Sequence, residues 1–352
     1  MMLTMNLLKA PLQAGVTCTS AMKLGLVTIL SFISFACQST QPTQQTTQPE
    51  ASPRLISEAS WGAVNVETLE GHTGKVWSVA LSPTEQKVAS ASQDRTIKLW
   101  DLATGEVLKT LTGHTDEVLA VAFSPDGNLL ASTGKDQTIR LWNVDGEPIR
   151  TLTGHTKIAR SLAFSSDGET LVSSSWDKTA KLWDVQTGAV KQTLTGHQGG
   201  IFATAISPDH QMVATVSKDK TIRLWDAETG KVLRTLTGHA DSVRAVSFSP
   251  DGTMLATGSN DKTIKLWNPQ TGALIETLTG HTSLVNSVAF SADYSTLASG
   301  GEDKTIRLWN LDSKTLIRTL NGHVEPVGSV TFGSAAMLVS GSADQTAKIW
   351  QP

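Results

Sequence analysis

One spacing governs what this chain can become. The dipeptide Gly-His starts at residues 71, 113, 154, 196, 238, 280 and 322, in steps of 41 or 42. A Trp with Lys or Arg two residues before it falls at 100, 142, 183, 225, 267, 309 and 350, and an Asp lies six residues ahead of each. Seven copies thus tile residues 61–352. A unit this short cannot bury its apolar face alone, so it must stack on its own copies.

Each copy contains four short runs that alternate or are rich in β-branched residues, with turn formers between them. The second reads EVLAVAFS, LLASTG, TIRLWNV and PIRTLTGH, separated by PDGN, KDQ and DGE. We name these strands a, b, c and d. No 3.6-residue helical period runs over a useful window. Four strands every 40–45 residues or so indicate blades set radially about an axis. The expected fold class is all-β, a seven-bladed β-propeller of four-stranded antiparallel blades.

The copies resemble the WD-repeat β-propeller family over residues 61–352, since Gly-His, the turn Asp and the Trp stand in every copy. The dipeptide's second letter departs from the family pattern. Asp follows Trp at 101, 184 and 226, Asn at 143, 268 and 310, and Gln at 351. The seventh copy has no strand d after its Trp, whereas VNVETLEGH before the first repeat reads like the strand d in ALIETLTGH. Residues 63–70 are therefore expected to close the ring as the outer strand of the last blade, removing a free edge.

Comparing the copies with one another separates what serves the blade from what can serve a partner. The repeated polar set comprises His72, His114, His155, His197, His239, His281 and His323, with Asp94, Asp136, Asp177, Asp219, Asp261, Asp303 and Asp344. A hydroxyl, Ser or Thr, lies four residues before each Asp. Ser, His and Asp together suggest a hydrolase triad, but sevenfold repetition argues for structure. A buried hydrogen-bond chain from Asp through imidazole and hydroxyl to indole is expected, an arrangement the resemblance also implies. The eighth His, His210, replaces a turn Gly and is read as a lone turn residue. The strand-c Lys or Arg is expected to lie as a stem between blades with its charge paired.

In the resembled family, top-face contacts lie at the third and fifth residues after each His and at the residue before each Asp. Here the fifth position reads Trp77, Leu119, Arg160, Phe202, Arg244, Asn286 and Gly328, and Ile158 and Trp176 stand at the other two in the third copy. Trp77, Leu119, Ile158, Arg160, Trp176 and Phe202 are expected to gather on the top rim of blades 1 to 4, with Arg244 beside them, as a one-sided protein-binding surface. Trp and Arg are the usual anchors of such surfaces.

Residues 1–60 lie outside the repeat. Lys23 precedes the apolar run LGLVTILSFISF, which suits a signal-peptide core and is too short for a spanning helix. Ser34 and Ala36 are small residues placed for cleavage before Cys37, which resembles a bacterial lipoprotein box, although the family prefers an aliphatic residue where Ser34 stands. The expectation is a signal peptide over 1–36, possible start Met22, with Cys37 lipidated. Residues 37–60 are rich in Gln, Thr and Pro and are expected to be a disordered tether reaching about 25–30 Å.

Charge and Cys content exclude several classes. The chain carries a net charge of -3, so no general affinity for nucleic acid is expected. Its two Cys, Cys18 and Cys37, leave the repeats without thiolate chemistry. No Gly-rich phosphate loop, G-x-S-x-G or H-E-x-x-H occurs. The chain is expected to be a monomeric, exported, membrane-anchored scaffold facing the periplasm or cell exterior. It would bind a protein partner without catalysis, cofactor or metal. Two alternatives remain open: an enzyme with its site in the channel or on the bottom face, and a cytosolic scaffold.

Overall fold

The computed structural model describes residues 61–84, 86–333 and 337–352. Cys18, Cys37, the expected signal peptide and the tether lie outside them.

The described strands form seven four-stranded antiparallel sheets. In blade 1 these are strand a (Val76–Leu81), b (Lys87–Ser92), c (Ile97–Asp101) and d (Val107–Leu111). The a strands touch in sequence around a closed ring, the last returning to the first. Strand b is buried on both faces, which is why it reads as small and β-branched residues such as KVASAS. Strand d alternates weakly and is exposed except for its final Leu.

Each strand-c Trp inserts between blades. Trp142 of blade 2 packs against Ala89, Ile97, Leu99 and Leu111 of blade 1, and Trp309 of blade 6 meets Ile264, Leu266 and Leu278 of blade 5. Removing one such indole would cost about 3–5 kcal/mol. The Gly of Gly-His permits this packing. At Gly154, φ is 153° and a Cβ would lie 3.2 Å from Trp183 Cη2, so a side chain would be strained and the indole would have to shift to admit it.

Ring closure follows the repeat arithmetic. Asn65–Leu69 pairs antiparallel with Ala347–Gln351, in the register Asn65 to Gln351 and Leu69 to Ala347. Leu69, 1% exposed, lies in a cluster with Val76 and Trp100 of blade 1 and Val339 and Ile349 of blade 7. The strand is shorter than the expected 63–70, because Trp61 turns inward ahead of it. Trp61 is 1% exposed, sits edge-on to Phe332 and packs on blades 6 and 7, and Arg318 donates to its carbonyl.

Candidate functional site

The repeated polar residues form one chain in all seven blades. In blade 3, Trp183 Nε1 donates to Ser173 Oγ at 2.8 Å, Ser173 lies 2.8 Å from His155 Nε2, and His155 Nδ1 lies 2.8 Å from Asp177 Oδ2. Thr215 and Thr257 take the hydroxyl's place in blades 4 and 5 with the same partners. The geometry fits a neutral imidazole that donates from Nδ1 and accepts at Nε2. Burial, the main cause, pulls His239 and His281 below the usual histidine range and favours that neutral form. The hydroxyl is held between an indole and an imidazole inside the blade, so this is a clasp.

One member of the clasp was missed in the sequence. Thr stands two residues after every Asp, at 96, 138, 179, 221, 263, 305 and 346. Its N–H and hydroxyl both donate to the carboxylate, as Thr179 does to Asp177 at 2.9 and 2.7 Å. The backbone N–H after each His adds another donor, from Thr156 at 3.0 Å in blade 3. The residue between Asp and Thr is left-handed in every copy, with φ of 67–73° at Arg95, Gln137, Lys178, Lys220, Lys262, Lys304 and Gln345. Non-Gly residues there cost roughly 1–2 kcal/mol, offset by the hydrogen bonds the turn makes.

The strand-c cations depart from expectation. Lys98, Lys181, Lys265 and Lys348 donate to the strand-d hydroxyls of Thr110, Thr193, Thr277 and Thr68 at 2.7–3.0 Å. Among the described residues none of them meets a carboxylate. The neighbouring strand offers a Thr at that height in each of these blades, so the ammonium finds a hydroxyl first.

The variable positions are brought together by the same scaffold. In each blade the residue before Asp donates its N–H to the carbonyl of the third residue after His, as Trp176 does to Ile158 at 3.0 Å. The d–a and b–c loops therefore share one face, the top. The fifth position sits at a register shift between strands a and b in every blade, for example between Val76 and Ser78 and between Ala159 and Ser161. Such a bulge inserts one residue and re-aims its side chain. Here it turns the fifth residues toward the mouth of the central channel.

A cavity of about 300 Å³ opens there, lined by Lys75, Trp77, Arg160, Phe202, Arg244, Leu284, Asn286, Glu302, Pro326, Gly328 and Ala343. Trp77 Nε1 donates to Glu117 Oε2 at 3.0 Å, and Lys135 pairs with the same carboxylate at 2.6 Å. Arg160 stands over Trp77 at 6.0 Å and Arg244 over Phe202 at 5.0 Å, measured to the ring centroids.

The expected set of contact residues thus divides. Trp77, Arg160, Phe202 and Arg244 line the mouth. Trp176 is 44% exposed outside it and meets Phe202 edge-on at 6.2 Å, with Ile158 half-buried beside its loop. Leu119 corrects the expectation: it is 5% exposed in the channel wall and offers a partner almost nothing. The one-sided patch is corrected too. Leu284, Asn286, Glu302 and Pro326 of blades 6 and 7 line the same cavity, because the bulge aims Asn286 toward the axis and the top loops of these blades bring the other three to its edge.

His210 is not a lone residue. Its Nδ1 lies 3.0 Å from Asp167 Oδ2, and its Nε2 contacts Ser166 Oγ, across the blade 3–blade 4 boundary on the bottom face. These three residue types match a hydrolytic triad, but Ser166 Oγ also donates to the Pro208 carbonyl at 2.9 Å, and the loops are largely exposed. The arrangement clasps two turns. Among the described residues no three His, Cys, Asp or Glu side chains converge to hold a metal ion.

Comparison with known proteins agrees with this architecture. The WD domain, G-beta repeat family matches at residues 63–101, 105–143, 146–184, 188–226, 230–268, 272–310 and 314–351, and the chain belongs to that family. Similar curated proteins include vegetative incompatibility protein HET-E-1 of Podospora anserina, 54% identical over 50 residues. Eukaryotic translation initiation factor 3 subunit I of Aspergillus niger is 42% identical over 53 residues, and protein pleiotropic regulator PRL2 of Arabidopsis thaliana 48% over 61. These matches span 14–17% of this chain and 4–16% of those proteins. Propellers of this family typically act as protein-interaction scaffolds.

Proposed function

We propose that this chain is a non-enzymatic platform that binds a protein partner at the upper mouth of its channel. The observation that carries the reading is a contrast within each blade. Seven copies keep the clasp, while the bulged fifth residue changes from Trp to Leu, Arg, Phe, Arg, Asn and Gly, and most of these line one cavity. Structure demands no such variety, and Trp, Phe and Arg supply interface anchors. The relative named as a translation-factor subunit is, by that name, part of an assembly.

The test is capture of partner by the variant carrying Trp77→Ala and Trp176→Ala. Losing one good anchor costs about 2 kcal/mol or more, so capture should weaken at least about tenfold. Melting should hold near wild type, because neither ring is part of the clasp. Unchanged capture would place the binding surface elsewhere on the ring.

The same proposal includes export, removal of residues 1–36, lipidation of Cys37, and a tether over 37–60 that holds the propeller near a membrane surface. It is supported by the basic start, the short apolar run and the small residues before Cys37. Cys37→Ser is expected to abolish incorporation of labelled fatty acid and to move the protein into the soluble fraction. A wild-type chain recovered from the cytosol with its N-terminus intact would contradict this part.

A further inference from the structure

We propose that the channel mouth is an oxyanion site, in which Arg160 and Arg244 together receive a carboxylate or phosphate group carried on an extended peptide segment of the partner. This rests on the platform reading and gives it a chemistry.

The mouth gathers three cations, Lys75, Arg160 and Arg244, against one carboxylate, Glu302, on a chain whose net charge is -3. The concentration is therefore local. Nearby carboxylates offset these charges only in part and without direct pairing: Glu117 acts on Arg160, and Glu302 and Asp241 act on Arg244. Glu117 is held by Lys135 and the Trp77 indole, and Glu302 accepts from Asn286 Nδ2 at 3.3 Å. Arg244 donates from Nε to Asn260 Oδ1. Among the described residues Arg160 has no carboxylate within ion-pair reach and no hydrogen-bond acceptor for its side chain, only the face of Trp77.

A guanidinium carries five N–H donors, and buried charge is ordinarily paired. Here two guanidiniums share one mouth without a shared counter-ion. Burial, with the charge of Arg244, pushes Arg160 down to about 10. Burial lowers Arg244 as well. An oxyanion between them would satisfy idle donors and remove the like-charge repulsion, and charge-assisted bonds of this kind are the strong ones. Trp77 and Phe202 stack against Arg160 and Arg244 and help hold the two guanidiniums at the mouth. A cavity of about 300 Å³ accommodates side chains but not a folded domain.

The experiment titrates full-length protein with three capped tripeptides, Gly-Glu-Gly, Gly-phosphoSer-Gly and Gly-Gln-Gly, following the side-chain N–H resonances of Arg160 and Arg244. At least one anionic peptide is expected to bind tenfold or more tighter than the Gln peptide, shifting both resonances saturably. Phosphoserine tenfold ahead of Glu identifies phosphate as the ligand group; equal binding, or Glu ahead, identifies carboxylate. Arg160→Met with Arg244→Met should erase the preference. Arg160→Lys, which keeps the charge and loses the fork, should weaken it and serves if the double variant fails to fold. Equal binding of all three peptides, binding of none, or a preference that survives the substitutions overturns the proposal. Partner capture that needs Trp77 and Trp176 but neither Arg overturns the oxyanion site alone. Capture that needs none of the four overturns the platform reading as well.

Discussion

Deleting residues 61–69 is expected to lower the melting temperature by about 10 °C or more and to produce soluble oligomers. The segment supplies the outer strand of blade 7, paired over five residues with Ala347–Gln351. It also supplies two buried apolar side chains, Leu69 and Trp61, in separate clusters between neighbouring blades. Large-to-small changes at such positions cost about 2–5 kcal/mol each. One kcal/mol corresponds to roughly 1.5–2 °C in a propeller spanning residues 61–352, so the two side chains supply much of the shift and the lost strand pairing the rest. Loss of the strand then bares the edge of strand c in blade 7, which is a template for another chain. Calorimetry and size-exclusion chromatography read both effects. A truncated protein that stays monomeric and melts within about 2 °C of wild type would show that the ring is not closed by this strand.

The second large effect concerns the clasp and acid. Burial pushes each of the seven carboxyls up, but donors from His and Thr outweigh it and hold all seven below the usual range, Asp261 at about 2. A group depressed in the folded state stabilises above its unfolded value, near 3.9 for Asp, and loses that contribution as pH falls toward the folded value. The burial-depressed His239 and His281 act with the same sign from about pH 6.5 downward. The melting temperature should therefore be level above about pH 7, decline gently to about pH 5, and fall steeply between about pH 4 and 2. His155→Ala strands Asp177 and Ser173, and should cost about 1–3 kcal/mol at neutral pH. His239→Ala should behave alike, since its partners are equivalent. A melting temperature flat from pH 7 to pH 3, or one His whose loss abolishes a turnover while stability holds, would contradict the clasp.

The fold was legible because repetition multiplies a weak signal. One Gly-His and one Trp say little, but seven of each in register specify blades, strand order and the place of the missing strand. The candidate site was legible by residue and not by direction. The family's contact positions put Trp77 and Leu119 on the top rim, whereas the bulge in strand a turns Trp77 to the channel mouth and Leu119 into the channel wall. A signal was present: buried Val76 and Val79, like Val118 and Val121, are three residues apart where a regular strand would place them two apart. Thr96 and its six equivalents were also visible as a fixed residue, and were passed over because Thr in a turn is common. Two contacts had no sequence signal. Trp61 precedes the first strand d and has no Trp at the equivalent position of any other copy, so no copy reveals its seat, and the His210–Asp167 contact joins turns whose proximity exists only after the blades pack.

The central claim is that the protein works through the top of its ring. Its most direct measurement is site-specific photo-cross-linking of the full chain in its own cell, with p-benzoylphenylalanine placed in turn at Trp176 on the top face and at Glu228, an exposed turn residue on the bottom. The expected result is a discrete protein adduct from position 176 and none from position 228. Adducts from position 228 with none from position 176 would contradict the account.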